Sequence, residues 1–230
     1  MTASTVRGCA PLFLCLVLPA IGRADDTPTS LAALERLKVG NARFAADKPS
    51  TRDVGKIRRA ELVKGQKPFA VVLTCADSRV SPELIFDQGL GDLFVLRIAG
   101  NISEPAVLGS IEYALEHLHS PLIVVLGHES CGAVKAAVDG GKIEGNLGWL
   151  VQRIDIGKDL PKDAKAPLPI AIKNNTVRQA QLLSEQSKVI KEFVDSKRVQ
   201  VAAGVYALDS GKIDWLELPD AKRPAPQKKQ

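Results

Sequence analysis

Aromatic side chains are scarce in this chain, which has six Phe, two Tyr and two Trp among 230 residues. Nowhere are aromatics interleaved with Lys or Arg as a stacking surface for nucleic acid requires, so a nucleic-acid partner is excluded. Net charge agrees, since a formal +5 is mild for this length. Cysteine occurs four times and histidine three times. So few cysteines exclude a disulfide-dense scaffold. Internal repeats are absent, which excludes a solenoid. Long apolar runs are absent too. The longest, from Cys9 to Ile21, is too short to span a bilayer as a helix.

That run has another use. Arg7 precedes it, and Gly22-Arg23-Ala24 follows with small residues at the two positions a signal peptidase reads. Residues 1–24 therefore read as a secretory signal, and the chain as exported, in a bacterium to the periplasm. Cys15 lacks the small residues that precede a lipid-modified Cys, so no stable membrane anchor is expected after cleavage. Without the signal, 29 basic and 26 acidic residues leave a charge of +3. Cys9 and Cys15 depart with it, leaving Cys75 and Cys131. In an exported protein, two cysteines can form a single disulfide staple.

What remains has the size and composition of one globular domain, 25–220, with a basic tail at 221–230. Ser30 reads as the cap of an amphipathic helix that begins Leu31-Ala32-Ala33-Leu34 and belongs to an N-terminal arm over about 30–48. Phe69 to Thr74 is an apolar strand. Ser81-Pro82-Glu83 opens a helix that Gly89 ends. Asp92 to Arg97 is a second strand and Ala99-Gly100-Asn101 a loop. A helix opens at Ser103-Glu104-Pro105, and Pro121 stops it before a third strand, Leu122-Ile123-Val124-Val125-Leu126. Gly132 to Asp139 is a short helix, and 142–170, with Pro161, Pro167 and Pro169, a loop-rich insertion. Asn174 to Lys197 is helical with a break near Ser187. Val199 to Leu208 is a strand, and Asp209-Ser210-Gly211 turns into one more at 212–216. Alternating strands and helices, with continuously apolar strands, predict an α/β fold around a mostly parallel sheet covered on both faces.

In such sheets ligands gather at the C-terminal strand ends. Cys75 ends the first strand, and His128 and Cys131 end the third. Two thiols and one imidazole at one sheet edge form the ligand set of a zinc site with a fourth position open, the catalytic pattern. Cys131 also starts a helix, whose positive end favours thiolate. Asp77 and Arg79 follow Cys75 closely enough to pair bidentately. Arg79 would then hold Asp77 off the metal, leaving it free to accept a hydrogen bond from metal-bound water.

These segments carry a resemblance. Cys75-Ala-Asp77-Ser-Arg79-Val, Gly109-Ser-Ile-Glu-Tyr113-Ala and Gly127-His128-Glu-Ser-Cys131-Gly-Ala are similar to the β-class carbonic anhydrases, and the similarity extends from Leu34 to about Trp215. The resemblance implies one Zn2+ per subunit on Cys75, His128 and Cys131, with Asp77–Arg79 as a catalytic dyad. It implies about four parallel strands plus an extra edge strand, and a homodimer or higher homo-oligomer whose N-terminal helices embrace the neighbour. Gln66, Phe94 and Tyr113 match the family's substrate pocket, with Gln66 contributed by the neighbouring subunit. Val72 stands where an allosteric subgroup has Trp, so the open, non-allosteric style is implied. The family's common Arg-Asn-x-Ala-Asn is here Arg97-Ile98-Ala99-Gly100-Asn101, with Ala99 at the pocket wall. The implied reaction is reversible hydration of CO2 to bicarbonate and a proton by zinc-bound hydroxide. Hydrolysis of carbonyl sulfide or carbon disulfide, and a non-catalytic binding module stapled by Cys75–Cys131, are the alternatives.

Overall fold

The computed structural model describes residues 27–158, 160 and 167–219. The expected signal, 1–24, and the basic tail, 221–230, lie outside the described residues. Five strands form one sheet in the order β2-β1-β3-β4-β5. They are β1 (Ala70–Thr74), β2 (Leu93–Arg97), β3 (Leu122–His128), β4 (Gln200–Tyr206) and β5 (Ile213–Leu216). The first four are mutually parallel, and β5 is antiparallel to β4. Every residue of β1 and β3 is buried, as a sheet covered on both faces demands.

Alternate strand residues feed two cores. On one face, Ala70, Val72, Leu122, Val124 and Leu126 pack with Ala33 and Leu37 of α1 (Ser30–Ala45) and with Ile85 of α3 (Pro82–Ile85). On the other, Val71, Leu73, Ile123 and Val125 meet three helices: α4 (Pro105–Glu116), α7 (Pro167–Gln186) and α8 (Lys188–Asp195). The remaining helices are α2 (Lys56–Leu62), α5 (Gly132–Asp139) and α6 (Gly145–Val151).

Several expectations change in detail. Thr29, not Ser30, caps α1, its side chain accepting from the Ala32 N–H. Within its own chain α1 packs on the sheet through Ala33 and Leu37, both fully buried. Asn41 fixes it there, donating to the Ile85 and Gly211 carbonyls and accepting from the Ile213 N–H. The stretch 142–170 is not all loop, since it contains α6 and the start of α7. The α7 helix begins at Pro167, with Pro169 in its first turn, where a missing N–H costs nothing. Ser187 does separate α7 from α8, and it caps α8 by accepting from the Ile190 N–H.

Candidate metal centre

Parallel pairing sets Thr74 opposite Leu126, so β1 and β3 end at nearly the same level. The buried Thr74 hydroxyl donates to the Leu126 carbonyl at 2.8 Å and locks the two ends together. Cys75 follows β1 immediately and His128 closes β3. Ser130, in the left-handed region (φ 54°), turns the chain so that Cys131 becomes the N-cap of α5. All three side chains are buried, and their ligand atoms lie within 4.8 Å of one another.

The two sulfurs stand 4.0 Å apart as free thiols. The disulfide-stapled alternative is thereby corrected, since these sulfurs are in contact but unbonded. Four-coordinate zinc, with bonds to sulfur of about 2.3 Å, holds two sulfurs about 3.8 Å apart, so the observed pair is already near that spacing. The imidazole gives an independent test. His128 Nδ1 lies 2.8 Å from the Glu129 carbonyl oxygen, which can only accept, so Nδ1 carries the proton. Nε2 then presents a bare lone pair, yet it is fully buried with no hydrogen-bond partner. A buried orphan acceptor beside two thiols fits a divalent cation.

The thiols share a proton. With Cys131 as the donor, the Cys75 thiol falls far below the ordinary range despite its burial, helped by the Gly100 and Asp77 N–H groups. The neighbouring Cys75 sulfur and burial push Cys131 up, against the Val134 and Ala133 N–H groups at the start of α5. A cation between them would replace that shared proton.

Asp77 and Arg79 pair as expected. Arg79 Nε donates to Oδ1 at 2.9 Å, Nη2 to Oδ2 at 2.7 Å, and the Arg79 N–H to Oδ1 at 3.0 Å. The Arg79 guanidinium holds the Asp77 carboxyl well below the usual carboxylate range. Asp77 Oδ2 nevertheless stays 3.9 Å from His128 Nε2, beside the three ligands without joining them.

The substrate-pocket residues divide. Ala99 opens a 3-10 turn, Ala99–Asn101, whose Gly100 N–H points at Cys75 Sγ (3.4 Å), so it borders the centre. Phe94 and Tyr113 meet each other, with ring centroids 6.4 Å apart, but Phe94 pairs with Val71, well back along the sheet. Gln66 is exposed before β1, at the strand end opposite Cys75. Other contacts at the centre involve backbone groups, and the two residues that make them, Arg97 and Glu129, stand in motifs of the sequence with no role attached. Arg97 Nη2 donates to the Asp77 carbonyl at 2.6 Å and Nε to the Cys75 carbonyl at 3.3 Å, clamping the loop that carries both. The Glu129 carbonyl sets the tautomer of His128, and the Glu129 carboxylate accepts from the Leu208 N–H.

Comparison with known proteins gives this geometry a family. The carbonic anhydrase family model matches residues 70–213, which contain the three candidate ligands and Asp77–Arg79. The chain is 42% identical over 192 residues to the carbonic anhydrase of Mycolicibacterium smegmatis, covering 80% of this chain and 92% of that one. It is 42% identical over 187 residues to carbonic anhydrase 2 of Mycobacterium tuberculosis, covering 79% and 90% respectively. Among solved structures, a tetrameric β-carbonic anhydrase of Sordaria macrospora superposes with TM-score 0.62 at 28% identity, over 69% of this chain and 85% of that one. The Coccomyxa β-carbonic anhydrase bound to acetazolamide gives TM-score 0.63 at 25% identity, over 68% and 75%. With a matching family model, a matching sheet and these sulfurs and imidazole at its edge, the chain belongs to the β-carbonic anhydrases.

Proposed function

We propose that this enzyme hydrates CO2 reversibly to bicarbonate and a proton, with one zinc ion held by Cys75, His128 and Cys131. The observation that carries the metal assignment is the bare, buried Nε2 of His128 facing two unbonded sulfurs. Bound there, zinc supplies the Lewis acidity that makes water a nucleophile near neutral pH. The chain's own groups do the rest. Asp77, kept ionised and turned aside by Arg79, accepts a hydrogen bond from the attacking water and orients its lone pair. Arg97 keeps the Asp77 loop at its distance from the ligands. Ala99 walls the reaction space.

Gln66, Phe94 and Tyr113 serve a neighbouring subunit's centre in this reading. Gln66 is separated from its own Cys75 by the whole of β1, about 15 Å of extended chain. A two-fold partner brings that end of one sheet to the open edge of the other, so the active form is a homodimer or a larger homo-oligomer. Export to the periplasm rests on the leader-like residues 1–24. No helix among the described residues is long and apolar enough to cross a membrane. The relatives reported above are named for carbonic anhydrase, and nothing in the centre favours carbonyl sulfide or carbon disulfide over CO2.

Zinc analysis together with stopped-flow CO2 hydration tests the proposal. The expected result is one zinc per chain and hydration that a chelator abolishes and zinc restores. Full activity in protein stripped of zinc would refute it.

A further inference from the structure

Asn175 lies on α7, away from the candidate ligands in sequence, and is completely buried. Its Oδ1 accepts two donors, the Asp155 N–H at 3.1 Å and Gln179 Nε2 at 3.2 Å. With the oxygen so occupied, only Nδ2 can face the Gly100 carbonyl, to which it donates at 2.9 Å. One turn further along α7, Gln179 Oε1 accepts from the Ser103 N–H at 2.7 Å and the Ser103 hydroxyl at 3.0 Å. The Ala99–Asn101 turn and the segment that follows it are thus suspended from one helix. The turn is tight, for Gly100 sits at φ 70° and a Cβ there would lie 2.8 Å from Ile154 Cδ1. On the other side of the Gly100 Cα, the Gly100 N–H points at Cys75 Sγ across 3.4 Å.

We infer that Asn175 is a positioning residue that tunes the metal: by holding the Gly100 carbonyl it keeps the Gly100 N–H aimed at the Cys75 sulfur. An N–H directed at a thiolate withdraws electron density from sulfur, so the cation it ligates becomes a stronger Lewis acid. Asn175 touches neither substrate nor ligand; it acts through one residue, Gly100, whose carbonyl it holds and whose N–H faces the sulfur. The inference rests on Cys75 being a metal ligand, as proposed above.

Cobalt(II) is the probe, because its charge-transfer band from thiolate reports the electron density on sulfur. In cobalt-loaded native protein a thiolate band is expected. In Asn175→Asp, which keeps the shape and loses the donor, the band is expected to move to longer wavelength, with cobalt binding weakened about tenfold. Asn175→Ala provides a second variant. The hydrogen bond itself is read in native protein loaded with 113Cd, where the Gly100 amide proton is expected to show scalar coupling to cadmium. No coupling at Gly100, or an unmoved cobalt band in a folded Asn175 variant, overturns the inference while leaving the metal assignment standing. Absence of any thiolate band in native protein overturns the metal assignment, and the inference with it.

Discussion

Two buried sulfurs 4.0 Å apart can both ionise only with a cation between them, because like charges so close in a poorly solvated site repel strongly. His128 adds a lone pair with nothing else to bind. Cys131→Ser removes one thiolate and is expected to lose zinc, with the 128–132 turn loosened. Metal analysis of the purified variant checks this, and native zinc content would refute the ligand assignment. Asp77→Asn leaves the ligand set intact but replaces the anionic hydrogen-bond acceptor with a neutral amide that pairs poorly with Arg79. It is expected to retain zinc while hydration falls at least tenfold. Unchanged turnover in a stopped-flow assay would make the dyad purely structural. Each of these side chains stood out in the sequence by type and spacing. What fixes them did not, because the Glu129 carbonyl, the Gly100 N–H and the two carbonyls clamped by Arg97 are backbone groups that any residue carries.

At the scale of elements, the strands were legible because β1 and β3 open with the apolar runs Ala70–Leu73 and Leu122–Leu126, the mark of a sheet buried on both sides. The boundaries of α7 were not. Pro167 and Pro169 read as loop, yet a helix tolerates proline in its first turn. The α2 helix was missed for a different reason: it buries none of its residues, so no apolar stripe marks it. The α7 helix comes up against β3 at Gly127, where a Cβ would come within 2.1 Å of Thr176 Oγ1. Thr176 has little freedom to retreat, being buried with its hydroxyl donating to the Ile172 carbonyl at 2.8 Å. Gly127→Ala is therefore expected to cost about 1–3 kcal/mol in urea unfolding. Adding Thr176→Ala should recover part of that loss. Simple additivity of the two changes would show that they do not meet.

The whole molecule carries an acid-sensitive tie between its N-terminal arm and the loop that joins α3 to β2. Asp87 is buried where Arg43 Nε donates to it at 2.7 Å and the Ser50 N–H and hydroxyl at 2.9 and 2.8 Å. Burial alone would raise its pKa, but these donors outweigh it and the carboxyl titrates below its ordinary range. The unfolded chain therefore binds the proton first, so this stabilisation is complete above about pH 5 and fades as pH falls below about 4. The urea-midpoint gap between native protein and Asp87→Asn should narrow over that fall, and a constant gap would dismiss the tie. Assembly is the other property at this scale. If Gln66 serves a neighbour's centre, inactive Gln66→Ala and inactive Cys131→Ser chains should regain hydration when refolded together. Continued inactivity of the mixture would return Gln66 to its own subunit. Finally, Cys75 and Cys131 are 56 positions apart and become neighbours only through the pairing of β1 with β3. A nascent or freshly unfolded chain consequently offers the ion no more than the local His128–Cys131 pair. With the metal held as proposed, full coordination must await that pairing, and the time course of metal capture on refolding is expected to record the moment at which these two strands zip together.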